Sequence, residues 1–516
     1  MKPLSASGLR PLLADARAGL ALLALLALLA LLALTARAEP QRPNVLWIVI
    51  DDMSPHFSCY GETLIETPHT DRLAREGTRF TSAYVTAPVC SSSRSAMITG
   101  MYQTTIGAHH HRSGRGRIQI HLPDGVVPVP ALFQAAGYHT CIGSGLLGKD
   151  HRGLPRPENT PQRRLFGKTD YNFEWDPAIY DSHDWAEREP GQPFFMQVQL
   201  HGGKLREGPA ESRAAFRRRV SEDFGGGTDP ASVELPPYYP RDPVLLEDWA
   251  AYLDSVRVTD WQIGQVLGRL EEEGLLESTF VILMTDHGIS HARGKQFLTD
   301  EGTRIPFILR GPGVPQGALR EDLVEHIDMA PTSLAVAGIP VPPSMQGRDL
   351  LDPALAPRTR AFAARDRCDE TTERLRSLRD AEFLYIRNGH PQRPHLQPNA
   401  YKDAKPILVA LRLQHASGTL PELSERLLFS PVRPEEELYH YRDDPHQIRN
   451  LAGDPDYADT LRAMRAGLDE VLAETRDPAP ESEAEYDSDM AEYLKRQNPA
   501  VEANIALMKR WASEGK

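Results

Sequence analysis

The chain has 516 residues, of which 25% are charged and 41% hydrophobic, with 4 Cys and a formal net charge of -13. These values suit a folded globular protein and exclude a disordered chain, a collagen-like repeat and a disulfide scaffold. The balance of 71 Asp+Glu against 58 Lys+Arg argues against nucleic acid as a partner, and the length predicts two domains.

At the N-terminus, Lys2, Arg10 and Arg17 precede an apolar run over 18–34, followed by Ala36-Arg37-Ala38. A basic head, an apolar middle and a small-residue cleavage pattern make residues 1–38 a signal peptide. The protein is therefore expected to be exported, periplasmic or secreted, with no stable membrane association after cleavage. An uncleaved anchor is the alternative, because the run lies at the short limit for spanning a bilayer.

Residues 45–50 (VLWIVI) are a continuous apolar run, as a strand buried on both faces should be, and stop at Asp51-Asp52. Residues 194–200 stop in the same way at His201, and 280–285 at Asp286-His287-Gly288. Ligands of open α/β sheets sit outside the carboxyl ends of the strands, so these three polar clusters are expected to converge. Between the second and third of these strands, 205–240 reads as a solvated surface insertion rich in Arg, Gly and Pro. Ile263, Val266, Leu267 and Leu270 then mark the apolar face of a helix ending near Gly274. A boundary is expected near 347–360, between a catalytic domain over 42–350 and a smaller α+β domain over 360–516. In the latter, 382–387 and 438–441 read as strands. Leu461, Met464, Leu468 and Val471 line a helix face, and the acidic stretch 474–492 reads as a loose tail segment.

Three carboxylates and an imidazole, Asp51, Asp52, Asp286 and His287, suit a hard divalent cation; taken singly, each pair is better read as a helix N-cap. The four cysteines, Cys59, Cys90, Cys141 and Cys368, form neither a paired framework nor a zinc spacing, which leaves one of them free for chemistry. Cys90 opens the segment CSSSRSAMITG over 90–100, whose later part is helix-like.

With that segment the chain resembles the sulfatase family. The pieces are RPNV at 42–45, TPHTDRLA at 67–74, GTRF at 77–80, the 90–100 segment, TDHG at 285–288 and LYHYRDDPH at 438–446. Their order spans nearly all of the chain beyond the leader. Within the family, the pieces around 286–295 and 437–452 are similar to N-sulfoglucosamine sulfohydrolases, the heparan sulfamidases. The resemblance implies an α/β, alkaline-phosphatase-like fold, with a large mixed sheet flanked by helices and a smaller C-terminal α+β domain. It also implies hydrolysis of a sulfate ester or sulfamate on a sulfated saccharide. Cys90 would be oxidised to formylglycine by a maturation enzyme, and its hydrated aldehyde would be the nucleophile. Asp51, Asp52, residue 90, Asp286 and His287 would bind Ca2+, and Arg94 would steady the nucleophile.

Other roles follow from the same resemblance. Lys295 would hold the sulfate group, and His201, with Lys204 behind it, would protonate the leaving group. A further sulfate-binding lysine is either Lys149, in a GK-x-H-x-G pattern with His151, or Lys168, in the stretch GKTDYNF, with Lys168 slightly favoured because the Arg- and Pro-rich segment between them reads as an insertion. From the run His109 to His111, His110 is a candidate substrate contact. The run 365–370 (RDRCDE) would either close the pocket over a sugar or stay as exposed charge. Two positions depart from the common pattern: Ser92, where many members carry Pro or Ala, and His287, where many carry Asn. Two other functions stay open, a phosphate or phosphonate ester hydrolase on the same scaffold and a non-catalytic binder of sulfated glycans.

Overall fold

The computed structural model describes residues 42–156, 160 and 166–516; the expected signal peptide at 1–38 lies outside them. No helix among the described residues is long and apolar enough to cross a membrane. The strands in chain order are β1 (Asn44–Ile50), β2 (Thr78–Phe80), β3 (Ala83–Tyr84), β4 (His139–Gly143), β5 (Phe194–Leu200), β6 (Thr279–Thr285), β7 (Phe307–Arg310), β8 (Ala318–Arg320), β9 (Val324–Glu325), β10 (Ala361–Arg365), β11 (Leu375–Arg379), β12 (Phe383–Asn388) and β13 (Glu436–His440).

Seven of these form the larger sheet, in the order β4-β5-β1-β6-β7-β2-β8. Its centre is parallel, since β1 pairs in parallel with both β5 and β6, whereas β7 is antiparallel to β6 and to β2. The sheet is therefore mixed. The apolar runs read as two-sided strands are buried along their whole length in β1, β5 and β6. Alternate residues of β1 feed opposite cores. Leu46, Ile48 and Ile50 face the long helix Pro243–Glu272, while Val45, Trp47 and Val49 face the side that carries the helix Cys90–Thr99. The predicted helix face at Ile263, Val266, Leu267 and Leu270 lies in that long helix and is buried.

The second sheet is antiparallel, in the order β10-β11-β12-β13. Its two-residue period divides β10 between two cores. Phe362 and Ala364 pack with Met464 and Leu468 of the helix Ala458–Glu474, whereas Ala363 joins Leu298, which follows β6 of the larger sheet. Both sheets belong to one compact unit running from Pro43 to Lys516.

Two quiet stretches are more structured than their composition implies. Within 205–240, the helix Ala210–Phe224 buries Phe216 and Val220. Within 474–492, Ser482 and Glu485 form a capping box at the start of the helix Glu483–Leu494. That acidic stretch is held down because Glu481 and Asp489 accept from the buried guanidinium of Arg367. A fully buried arginine requires such carboxylates. The run 365–370 is thus not an exposed charge cluster: all six residues are buried.

Candidate active site

Strands β5, β1 and β6 are neighbours, so their carboxyl ends bring His201, Asp51-Asp52 and Asp286-His287 together. The ladder runs one residue past each strand, with Asp51 N–H donating to Leu200 O at 3.1 Å and Asp286 N–H to Ile50 O at 2.9 Å. The two aspartates are therefore fixed side by side by backbone pairing. Asp52 turns away at φ 50°, in the left-handed region, and its N–H donates to Asp286 Oδ1 at 3.1 Å. Behind this turn the chain passes so close that a Cβ at Gly203 would lie 2.1 Å from Asp52 O. Glycine at 203 is what lets the two segments touch.

The helix Cys90–Thr99 points its first turn at the same place. Cys90 Sγ lies 3.1 Å from His287 Nε2, 3.7 Å from Asp52 Oδ1 and 2.9 Å from Lys295 Nζ. Ser92 turns inward, donating to His109 O at 2.9 Å. Arg94, one turn on, donates to Asp51 Oδ1 at 2.7 Å, to Asp286 Oδ2 at 3.0 Å and to Gln199. Lys204 reaches Asp51 at 3.1 Å and Asp52 at 3.3 Å, and Lys168 reaches Asp51 at 2.9 Å and Asp286 at 3.7 Å.

Burial works against charge on Asp51 and Asp52, yet the cations around them prevail. They hold Asp51 (Lys168, Lys204 and Arg94) and Asp52 (Lys204, Lys295 and His287) well below the usual carboxylate range. Burial raises Cys59 to about 12 and lifts Cys141 and Cys368 too. At Cys90 the same burial is outweighed by Lys168, Lys204, Lys295 and His287, which draw the thiol down to about 6. Cys90 is thus the reactive cysteine of the four.

The donor set fits a divalent cation. Three carboxylates converge, and His287 Nδ1 faces Gly288 O at 2.8 Å, so Nε2 is the nitrogen turned into the cluster. Burial opposes a proton on His287, but Asp286, Cys90 and Asp52 raise it to about 9. A bound cation would displace that proton.

A cavity of about 1010 Å3 opens beside the cluster, lined by Asp51, His151, Lys168, His201, Lys204 and Tyr401 among others. The rings of His151 and His201 lie 5.1 Å apart. Of the two lysine candidates, Lys168 is in the cluster, whereas Lys149 lies over the Trp261 ring at 4.7 Å. Lys168→Ala is accordingly expected to lower kcat/KM about 100-fold and Lys149→Ala less than about threefold, measured side by side; the reverse order would make Lys149 the functional residue. His110 lines a different cavity of about 200 Å3 with Glu481 and Asp489, and its Nδ1 accepts from Arg367 N–H.

Sequence reasoning missed three residues. Tyr401 Oη lies 3.2 Å from Asp52 Oδ2 and 3.1 Å from Glu207 Oε2, able to donate its one proton to either, and Lys405 ties Glu207 to Ser290. Tyr401 and Lys405 come from the second part of the chain and carry no local motif. Glu207 follows the His201 cluster closely enough to have been a candidate.

An α/β sheet with clustered cations and carboxylates and a low-pKa cysteine at a helix start has the make-up of an enzyme that acts on an anionic ester. The sulfatase family model matches residues 43–339, and the chain belongs to the sulfatase family. It is 31% identical to an ulvan-active sulfatase of Formosa agariphila, over 86% of this chain and 77% of that one. It is 28% identical to human N-sulphoglucosamine sulphohydrolase, over 86% and 92%. Among solved structures, BT4656 in complex with its substrate D-glucosamine-2-N,6-O-disulfate superposes with a TM-score of 0.58 at 19% identity, covering 86% of this chain and all of that one. The chain is an enzyme of the alkaline-phosphatase-like fold.

Proposed function

We propose that this sulfatase releases sulfate from a sulfate ester or sulfamate on a sulfated glycan, using formylglycine made from Cys90 and one divalent cation, Ca2+. The observation that carries this reading is Cys90 itself, set at the start of a buried helix within reach of Lys295, Lys204, Asp52 and His287. The glycan substrates in the names of the relatives support it. Oxidation of the Cys90 thiol to an aldehyde by a maturation enzyme would supply, once hydrated, an oxygen nucleophile. The cation would sit among Asp51, Asp52, residue 90, Asp286 and His287 and offset charge on the sulfate oxygens.

The remaining work falls to the chain's own side chains. Lys168, Lys204 and Lys295 neutralise the anion as it approaches, in a site where low dielectric strengthens each contact. Arg94 fixes the angle between Asp51 and Asp286. His201 protonates the leaving atom. Burial lowers His201 to about 4, so the protonated form is lost as pH rises through that value in the free enzyme, and kcat/KM for sugar sulfates is expected to favour acid. His201→Gln should slow sugar-sulfate hydrolysis about 100-fold and flatten that pH dependence. It should touch an aryl sulfate, whose leaving group needs no proton, far less. Equal losses on both substrates would remove His201 from this role.

The reading also holds the protein to be exported, periplasmic or secreted, by its leader at 1–38. The deciding measurement is free sulfate from N-, 2-O- and 6-O-sulfated saccharides, beside an aryl phosphate. Far faster phosphate release would favour a phosphate or phosphonate esterase, and binding of sulfated saccharide without sulfate release would favour a non-catalytic binder.

A further inference from the structure

We propose that Arg112 recognises a second anionic substituent, sulfate or carboxylate, on the saccharide whose sulfate group enters the Cys90 cluster. This rests on the sulfatase reading for the first anion only. Arg112 lines the large cavity together with Lys168, Lys204, Arg206, Arg213 and Lys405. Each of those other cations already has a hydrogen-bonded partner. Lys168 and Lys204 bind Asp51, and Lys405 binds Glu207. Arg206 binds Gly203 O and His291, and Arg213 binds Gly208 O.

Arg112 differs. Its guanidinium sits 3.9 Å from both Asp170 and Asp369, beyond hydrogen-bond distance, and among the described residues its Nε, itself buried, has no hydrogen-bond partner. The two carboxylates hold the charge in place without consuming its donors, and 35% of the side chain is exposed. The backbone is committed to this arrangement. Arg112 adopts φ 54°, a left-handed conformation that is unfavourable for a non-glycine residue. Its N–H donates at 2.8 Å to Ser91 Oγ, which also meets His111 Nδ1 at 2.8 Å. The residue next to Cys90 therefore fixes where Arg112 stands. A rigidly placed fork of donors, with its charge balanced but its hydrogen bonds unmade, matches a planar carboxylate or one face of a sulfate. The cavity volume leaves room for the sugar that connects the two anions.

The test is calorimetric binding to the full chain in two arms. One compares D-glucosamine 2-N-sulfate with the 2-N,6-O-disulfate, and the other a sulfated uronate-containing disaccharide with its methyl ester. In the wild type, the second anion is expected to tighten Kd about tenfold in at least one arm. The arm that responds identifies the anion. In Arg112→Gln the gain should fall below about twofold, and Arg112→Lys should keep part of it. Raising salt should erode the wild-type gain, which tests the idea without any variant. No gain in either arm, the same gain in Arg112→Gln, or a salt-independent gain would overturn the assignment. Sulfate release is followed in parallel; binding preference without release would defeat the catalytic reading and leave Arg112 as assigned.

Discussion

Replacing Cys90 by alanine is expected to abolish sulfate release, with kcat lower by at least about four orders of magnitude, the scale seen when a nucleophile is removed. The same loss is expected for Cys90→Ser, because serine keeps an oxygen in place but is not the thiol the chemistry starts from. Both variants should fold. Cys90 is the first residue of its helix, the cap before it is Val89 with no side-chain hydrogen bond, and Gly100 closes the other end at φ 65°. Nothing in the helix depends on the sulfur. The three carboxylates stay paired with Arg94, Lys168, Lys204 and Lys295 when the thiol is gone. Melting curves of the variants should therefore stay close to the wild type while initial rates vanish. A companion measurement on active wild-type enzyme is the mass of the peptide containing Cys90, which should show one oxygen in place of one sulfur and two hydrogens. Residual activity within tenfold of wild type in either variant would detach catalysis from residue 90.

The main strands and the polar groups at their ends are legible in the sequence for one physical reason. A strand buried on both faces has no periodicity to hide behind, so VLWIVI at 45–50 and the runs before His201 and Asp286 stand out, and their ends mark the sheet's functional edge. The helix Pro243–Glu272 is legible for the complementary reason, a regular apolar stripe against a polar back. What local pattern cannot supply is the second chain segment that meets the first. Tyr401 reaches Asp52 from beyond the second sheet, and nothing around Asn399 or Lys402 marks it. The pair Lys149 and Lys168 shows the converse. Both sit in acceptable motifs, and only the tertiary path, which carries Lys168 to Asp51 and leaves Lys149 over Trp261, separates them. The acidic stretch 474–492 was misread because its charge looked solvated, whereas Glu481 and Asp489 are the counter-charges of Arg367. Buried ion pairs with distant partners are invisible to composition.

Arg94→Met is expected to destabilise the protein by about 3–5 kcal/mol at neutral pH, the usual cost of leaving buried charge without its partner. Arg94 is 1% exposed and bridges two carboxylates, one of which, Asp286, is fully buried. Methionine fills similar space but donates nothing, so Asp51 keeps only Lys168 and Lys204, and Asp286 keeps Lys168 at 3.7 Å. The pH dependence distinguishes this cause from simple misfit. In the wild type, Asp51 is held well below its ordinary value, against the pull of burial, by Lys168, Lys204 and Arg94. Its contribution is therefore present above the unfolded carboxylate range and is lost only as pH falls through the depressed folded value. Removing Arg94 raises that folded value, and a protonated carboxyl no longer needs the guanidinium. The deficit of the variant should accordingly be full at pH 7 and shrink only below the unfolded carboxylate range of about 4, because Lys168 and Lys204 still hold Asp51 down; pH 7 and about pH 3 bracket that change. Urea unfolding of wild type and Arg94→Met at the two pH values measures it directly. A deficit below about 1 kcal/mol at pH 7 would show that the lysines alone balance the aspartates; a deficit that does not change with pH would point to lost packing around residue 94 instead. Activity should fall with stability but not recover at low pH, because the angle between Asp51 and Asp286, on which the site depends, is set by the same two hydrogen bonds.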